Sequence, residues 1–263
     1  MSDRLKDKVA IITGAGTGIG AATAERFAQE GAIVVLCGRR PEPLQAVVAT
    51  IQAAGGRAEA APLDVADEVA FTRVVQETAK KYGRLDILVN NAVVATGGLI
   101  ADMSTEDWHA SFRVTLDGTF YGTRAALPIM QRQNSGSIVN VASVCGLLGS
   151  LYTAGYSSAK AAVINFTRVA ALEGARHNIR VNVVVPGAVH TPSFEASVPE
   201  GQARDMTAAG IPLGRVAKPI ELANSILFMA SDEASFITGT SLVVDGGKTS
   251  ELSLASALNR LGN

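Results

Sequence analysis

Hydrophobic and polar positions alternate along the chain in two patterns, which predict short buried strands and longer amphipathic helices. The apolar, β-branched run Val9–Thr13 is typical of a parallel strand buried on both faces. A helix-forming segment follows Gly20 and ends at Gly31. The same alternation predicts further strands at 33–37, 58–63, 86–90, 136–143, 179–185 and 241–244, and further helices at 43–54, 68–82, 105–131, 156–177 and 219–230. This order predicts right-handed βαβ crossovers and a single α/β domain over residues 1–263, a doubly wound parallel sheet of about seven strands with helices on both faces.

Composition fits such a domain and argues against several classes of partner. Of the 263 residues, 48% are hydrophobic and 18% charged, which supplies enough apolar surface for a sheet covered on both faces. The formal net charge is −1 and there is no basic block, so we expect neither nucleic acid nor an anionic membrane as partner. No apolar run approaches the ~18 residues of a membrane span, and the polar N-terminus lacks a signal-peptide core, so we expect a cytoplasmic protein.

The cysteines and histidines do not indicate metal chemistry. Cys37 and Cys145 each close an apolar run and are expected to be reduced and buried. The three histidines are scattered at positions 109, 177 and 190, without the spacing of metal ligands. We therefore predict no disulfide and no metal site.

A glycine-rich turn, Gly14-Ala-Gly16-Thr-Gly18-Ile-Gly20, joins the first predicted strand to the first helix. Glycines allow a tight turn and a close approach of backbone to ligand, and a helix N-terminus offers unpaired amides to a pyrophosphate. A turn without any ligand is the alternative. The order of strand, glycines and helix favours dinucleotide binding.

Tyr156 and Lys160 are four residues apart and so share one helix face, and Ser143 lies shortly upstream. A tyrosine titrates near pH ~10, and a fixed positive charge nearby lowers that pKa. The pair then predicts a proton donor and acceptor that works near neutral pH, beside a serine hydroxyl able to hold a substrate oxygen. Alone, such a pair also occurs by chance on solvated helix faces.

Five motifs together resemble those of the short-chain dehydrogenase/reductases, in order and at the family's spacing. They are Thr13-Gly14-x-x-x-Gly18-x-Gly20, Asn90-Asn91-Ala92, Ser143, Tyr156-x-x-x-Lys160 and Pro186-Gly187. The resemblance covers about residues 8–247, nearly the whole chain. It implies an NAD(P)(H)-dependent oxidoreductase on a single Rossmann-type domain, a homotetramer that acts on a small-molecule carbonyl or alcohol.

The resemblance also assigns the cofactor contacts. They fall on Gly14, Thr17, Gly18, Ile19, Gly20, Asp64, Val65, Asn91, Ala92, Tyr156, Lys160, Val189 and Thr191. Asp64 and Val65 are expected to hold the adenine, and Val189 and Thr191 the nicotinamide carboxamide. Asn90 and Asn91 can equally serve only to tie adjacent strand ends.

The residues after the second strand bear on the choice of cofactor. Proteins that select NAD place an acid about 20 residues beyond the glycine turn, and this chain has Gly38 there, followed by Arg39 and Arg40. A guanidinium can clamp a 2′-phosphate with charge-assisted bonds, whereas a carboxylate would repel it. We therefore predict NADP(H), with NAD(H) as the alternative; the two arginines can also be merely solvated loop charges.

The family resemblance implies a catalytic assignment with two departures. Tyr156 is the general acid/base, Lys160 lowers its pKa and bonds the nicotinamide ribose, and Ser143 polarises the substrate oxygen. Thr115 stands where the family carries an asparagine that helps hold a water linking the lysine to solvent. Its hydroxyl lacks the separate donor and acceptor of an amide, which puts the proton relay in question. Val93 replaces the usual glycine after the Asn-Asn-Ala motif.

Function is predicted as NADP(H)-dependent hydride transfer between nicotinamide and a ketone or secondary alcohol. Residues 190–213 are expected to fold over the site as a lid, and their mixed, moderately apolar composition fits such a substrate. A part of His190 in substrate binding is left open. The alternatives are an NAD-dependent dehydrogenase of the same fold, a cofactor-binding protein with little catalysis, and an isomerase or dehydratase.

The predicted homotetramer depends on two long helices, 105–131 and 156–177, which pair with their copies in relatives. Small side chains are expected to allow close contact between them: Ala125, Ala126, Ala161, Ala162, Ala170 and Ala171. The last strand, 241–244, is expected near a second contact, together with the Ser-, Leu- and Ala-rich residues after Gly247.

Overall fold

Seven parallel strands form one sheet in a computed structural model that describes residues 3–250. The strands are β1 (Val9–Thr13), β2 (Ile33–Gly38), β3 (Arg57–Pro62), β4 (Ile87–Asn90), β5 (Gly136–Val141), β6 (Ile179–Pro186) and β7 (Ser241–Val244). Their order is β3-β2-β1-β4-β5-β6-β7. From β1 the chain builds the sheet outward to β3 on one side, and from β4 it builds the sheet outward to β7 on the other. The strand order therefore reverses between β1 and β4, and in open α/β sheets ligands bind at such a switch point, beyond the carboxyl ends of the strands. The predicted fold class is confirmed.

Nine α-helices connect the strands within the described residues. They are α1 (Gly18–Gln29), α2 (Pro41–Ala53), α3 (Glu68–Tyr82), α4 (Thr105–Phe112), α5 (Gly118–Gln133), α6 (Ala154–Ala175), α7 (Pro192–Ser197), α8 (Gln202–Ala209) and α9 (Pro219–Ala230). None of the helices in this part of the chain is long and apolar enough to cross a bilayer. The prediction for the residues after Gly247 falls mostly on 251–263, outside the described residues.

The core lies on both faces of the sheet because successive residues of each strand point to opposite sides. Ile12 of β1 packs in a cluster with Phe27 of α1 and Leu222 of α9. Its neighbour Ile11 packs on the other face, in a cluster with Phe71 of α3. Each of these five side chains is fully buried. This double coverage explains why the strands are continuous apolar runs.

The long helix predicted at 105–131 is not continuous. A π-helical turn, Arg113–Asp117, separates α4 from α5. Directly after it, Gly118 lies so close to Val65 that a Cβ on the glycine would be 2.8 Å from Cγ2 of the valine. Periodicity alone cannot reveal the extra residue of a π-turn, and such turns are frequent at functional sites.

Candidate active site

The glycine turn between β1 and α1 has a backbone that only glycines allow. Gly14 and Gly18 adopt φ values of 64° and 57°, in the left-handed region. A Cβ on Gly20 would lie 2.2 Å from the carbonyl oxygen of Gly14. The turn therefore presents bare backbone at the N-terminus of α1, the arrangement that accepts a pyrophosphate.

Asn91 holds this turn from the neighbouring strand. Its side-chain amide donates to the carbonyl oxygens of Thr13 (2.9 Å) and Gly14 (3.2 Å). The Thr13 hydroxyl in turn accepts from the backbone amides of Asn91 (2.9 Å) and Ala92 (3.0 Å). The adjacent Asn90 donates to Oδ1 of Asn140, 2.9 Å away, and so ties β4 to β5. Both asparagines therefore connect adjacent strand ends, and the side-chain amide of Asn91 also donates to the glycine turn.

Two clefts lie along the carboxyl edge of the sheet. The outer cleft has a volume of about 180 Å³ and is lined by residues that include Thr17, Gly38, Arg39, Arg40, Asp64, Val65 and Ala92. The inner cleft has a volume of about 500 Å³ and is lined by residues that include Thr17, Gly18, Ile19, Asn91, Ala92, Ser143, Tyr156, Lys160, Val189 and Thr191. Gly14, Thr17, Ala92 and Val93 belong to both, so the clefts form one groove over the glycine turn. Of the predicted site residues, Gly20 and Thr115 line neither cleft.

Arg39 and Arg40 are exposed at the rim of the outer cleft. Within residues 3–250, neither guanidinium makes an ion pair or a side-chain hydrogen bond, so both are available to an anion there. Asp64, on the other side of the same cleft, is exposed and accepts from the backbone amide of Ala66 at 3.0 Å. The outer cleft therefore places two cations and one acid around a small cavity.

Ser143, Tyr156 and Lys160 converge on the inner cleft. Ser143 follows β5 and accepts from the backbone amide of Cys145 at 3.2 Å, which fixes its hydroxyl oxygen. Tyr156 lies in the first turn of α6, and the ammonium of Lys160 is 5.8 Å from the centre of its ring. That ammonium donates to the carbonyl oxygen of Val141, 2.6 Å away.

The lowering of the Tyr156 pKa by Lys160 stays a prediction, because burial acts on both groups in the cofactor-free structure. Burial raises the pKa of Tyr156, although a hydrogen bond with Ser143 acts in the opposite direction. Burial also lowers the pKa of Lys160 itself, to about 7, with an opposing contribution from Cys145. The Lys160 side chain is therefore desolvated, and its ammonium is held by the Val141 carbonyl.

Thr115 lies in the π-helical turn and is 1% exposed. Its hydroxyl oxygen is buried and has no hydrogen-bond partner among the described residues. The hydroxyl does not make the bond back to a carbonyl one turn earlier that a mid-helix threonine can make. The outer cleft includes the preceding residue, Val114.

Comparison with known proteins shows to which family the chain belongs. A family model described as enoyl-(acyl carrier protein) reductase matches residues 14–249. The 3-oxoacyl-[acyl-carrier-protein] reductase of Thermotoga maritima is 45% identical over 244 residues, which span 93% of this chain and 98% of that protein. The chain belongs to the short-chain dehydrogenase/reductase family.

Other members of the short-chain dehydrogenase/reductase family are similar over the same length. The meso-2,3-butanediol dehydrogenase of Serratia marcescens is 43% identical over 246 residues, 94% of this chain and 96% of that protein. The cyclopentanol dehydrogenase of Comamonas sp. is 40% identical over 246 residues, 94% of this chain and 98% of that protein. A crystal structure described as a short-chain dehydrogenase/reductase from Burkholderia xenovorans superposes with a TM-score of 0.91 at 38% identity, covering 95% of this chain and 99% of the other.

Two residues that the sequence analysis left unassigned lie in the inner cleft. Ala95 and Cys145 line the inner cleft, and Cys145 is partly exposed, so its expected burial is wrong, whereas Cys37 is buried. Phe194 of α7, within the segment 190–213 expected to cover the site, also lines the cleft, and the ring of His190 packs edge-on against it at 6.0 Å. Cys145 lies only two residues after Ser143, and this spacing alone could have predicted that it also lines the cleft.

Proposed function

We propose that this protein is an NADP(H)-dependent oxidoreductase that transfers a hydride between nicotinamide and a ketone or secondary alcohol. The observation that carries the proposal is the convergence of Ser143, Tyr156 and Lys160 on one cleft, at the end of a groove that begins at a bare glycine turn. Relatives named as reductases and dehydrogenases of alcohols and diols support the reaction class.

The residues of the groove fit a phosphorylated dinucleotide. A Cβ would collide with the turn at Gly20, and the exposed guanidiniums of Arg39 and Arg40 border the outer cleft beside Gly38. Pairing of a guanidinium with a 2′-phosphate supports NADP(H) over NAD(H). When bound, the nicotinamide supplies or accepts the hydride.

The protein's own residues move and hold the proton. In reduction, the Tyr156 hydroxyl donates its proton to the carbonyl oxygen of the substrate, and in oxidation the phenolate takes the alcohol proton. Ser143 donates a hydrogen bond to the same oxygen and fixes its position. A raised pKa keeps Tyr156 protonated at neutral pH, which suits its role as the acid of reduction, whereas oxidation is favoured at higher pH.

The test is turnover of a panel of ketones and secondary alcohols with each of the four nicotinamide cofactors, followed by nicotinamide absorbance. We expect activity with NADPH and NADP⁺, and a loss of at least about a hundredfold in Tyr156→Phe with the cofactor Kd unchanged within about twofold. Tyr82→Phe, on α3, is the matched control and should retain wild-type rates. Cofactor binding without turnover of any substrate would favour the non-catalytic alternative, and a residual rate near wild type in Tyr156→Phe contradicts the assigned acid/base.

A further inference from the structure

Two loops that begin at residues of the inner cleft expose an unusual density of large apolar side chains. Of the seventeen large hydrophobic residues exposed within residues 3–250, seven lie at 93–100 and 147–152. We call five of them the apolar shelf: Leu99 (52% exposed), Ile100 (81%), Leu148 (56%), Leu151 (80%) and Tyr152 (58%). Scattered apolar residues on a surface are ordinary, but a concentration of them beside a cleft marks a binding surface.

Backbone contacts hold the two loops together. Gly98 and Thr153 form an isolated parallel bridge, and the Gly98 amide donates to the carbonyl oxygen of Tyr152 at 2.9 Å. Tyr152 adopts a φ of 65°, in the left-handed region that residues other than glycine, asparagine and aspartate seldom occupy. The loops are therefore fixed side by side at the start of α6, the helix that carries Tyr156.

The two loops that carry the shelf both start in the inner cleft. The first loop leaves the cleft at Val93 and Ala95, and the second leaves it at Cys145, all of which line the cleft. Residues 87–101 and 133–159 contain no Asp, Glu, Lys or Arg. Among the described residues that line the inner cleft, Lys160 alone has such a side chain, and its ammonium is bonded to Val141. Within this lining and these two segments of the described chain, no free cation is placed to receive an anionic group of a substrate.

We propose that the apolar shelf binds the alkyl or alicyclic part of an uncharged substrate whose carbonyl or hydroxyl group enters the inner cleft. This inference rests on the proposed function and narrows its substrate class to neutral, apolar ketones and secondary alcohols. A carboxylate, phosphate or other anion at the far end of the substrate loses its hydration against the shelf without gaining a partner. Each methylene placed on the shelf is removed from water and increases affinity.

The first arm of the test compares ketones of increasing length with NADPH. From 2-butanone to 2-octanone, kcat/KM should rise about two- to fourfold per methylene, the increase expected from burial of a methylene group. The keto acid 7-oxooctanoate, which has the length of 2-octanone and a terminal carboxylate, should react at least about tenfold less efficiently than 2-octanone. Rates independent of chain length, or a preference for the keto acid, would overturn the proposal.

The second arm removes the shelf. The double variant Ile100→Ser and Leu151→Ser alters two side chains that are about four-fifths exposed, so folding should be unaffected. It should flatten the dependence on chain length, so that kcat/KM for 2-octanone falls toward the value for 2-butanone. Val69→Ser, 78% exposed on α3, is the matched control and should behave as wild type. A chain-length dependence that survives in the double variant contradicts the shelf.

The third arm separates failure of the shelf from failure of the proposed function. Primary amides from butanamide to octanamide carry a carbonyl group that is not reduced, and their Kd in the presence of NADPH can be measured by calorimetry without turnover. Tighter binding with length in wild type but not in the double variant supports the shelf even if every ketone is inert, which would reject only the proposed function. If the double variant instead changes the oligomer size by light scattering and keeps the amide series unchanged, the shelf is a contact between copies and the proposal is wrong.

Discussion

The ammonium of Lys160 donates a 2.6 Å hydrogen bond to the carbonyl oxygen of Val141. Val141 is the last residue of β5, and Ser143 follows it by two residues. The bond therefore ties α6 to the strand that leads to the serine, so the positions of the three candidate catalytic groups are coupled. It also leaves a buried lysine whose charge is poorly solvated.

Replacing Lys160 with methionine should stabilise the cofactor-free protein at low pH while abolishing turnover. Burial lowers the pKa of Lys160 to about 7, so the folded chain releases between pH 7 and about 10 a proton that the unfolded chain retains. The buried lysine therefore lowers the free energy of unfolding by the largest amount below pH 7, and this cost decreases as the pH rises. The gain in Lys160→Met should therefore shrink by up to about 1.4 kcal/mol per pH unit above pH 7, measured by urea unfolding at several pH values.

Loss of the Val141 bond opposes this gain by about 1–3 kcal/mol at every pH, because it leaves a buried carbonyl without a donor. The decisive quantity is therefore how the difference in free energy of unfolding between Lys160→Met and wild type changes with pH. Lys80→Met, at an exposed position on α3, should show no such pH dependence. A constant difference between wild type and Lys160→Met from about pH 6 to pH 9 would mean that Lys160 keeps an ordinary pKa.

Arg39→Ala should weaken NADP(H) selectively. The guanidinium is exposed at the rim of the outer cleft and has no partner within residues 3–250, so it is available to a 2′-phosphate. Loss of one charge-assisted contact costs about 1.5–3 kcal/mol, or roughly ten- to a hundredfold in Kd, with Kd for NAD(H) unchanged. Titration of wild type and variant with both cofactors measures the change in Kd, with Arg132→Ala on α5 as a control. Equal wild-type affinities for NADP(H) and NAD(H) would refute the preference.

The predicted homotetramer needs a different set of contact residues. Ala126, Ala170 and Ala171 are buried in the core of their own chain, because they face the sheet and not a partner. The outward face carries Phe120 of α5, with Val169 and Leu172 of α6, exposed by 39%, 47% and 80%, and Ala161 also lies on this side. An apolar face of this kind fits a second copy of the chain.

Leu172→Glu should therefore split the tetramer, because it places a charge in a desolvated helix contact. Light scattering at micromolar concentration should show tetramers for wild type and smaller species for the variant, while Leu172→Met should remain tetrameric. A monomeric wild type would reject the homotetramer.

The sequence predicted those features that depend on local pattern. Apolar runs located the strands because a sheet covered on both faces needs them, and the glycine turn followed from the backbone that it must adopt. The spacing of Tyr156 and Lys160 placed both on one face of α6. What the sequence could not show were contacts set by tertiary packing: the π-turn around Thr115, the Asn91 amide bonded to the glycine turn, and the Val141 carbonyl as partner of Lys160. The apolar shelf likewise depends on loops brought together by a bridge between Gly98 and Thr153.

Thr115 and Thr119 form a natural pair for testing the departure from the family's asparagine. Both side chains are buried, but Thr119 donates to the carbonyl oxygen of Thr115 at 2.7 Å, whereas the Thr115 hydroxyl has no partner among the described residues. Valine keeps the shape of threonine and deletes the hydroxyl. Thr119→Val should therefore lower the free energy of unfolding by about 0.5–1.5 kcal/mol, and Thr115→Val, which breaks no bond to a protein group, should lower it less, in urea unfolding of the cofactor-free protein.

Turnover should depend on Thr115 more than on Thr119 if the Thr115 hydroxyl holds a water that delivers protons to the site. Thr115→Val should then reduce the rate of ketone reduction although it costs little stability, and Thr115→Asn, which restores a separate donor and acceptor, should raise the rate, most visibly at low pH. The stability of Thr115→Asn should stay within about 1 kcal/mol of wild type. Thr119→Val, with its hydroxyl bonded inside the helix, should leave the pH–rate profile unchanged. Coincident profiles for wild type, Thr115→Val and Thr115→Asn would make Thr115 a packing residue, because a hydroxyl that relays protons cannot be deleted without slowing the step that consumes them.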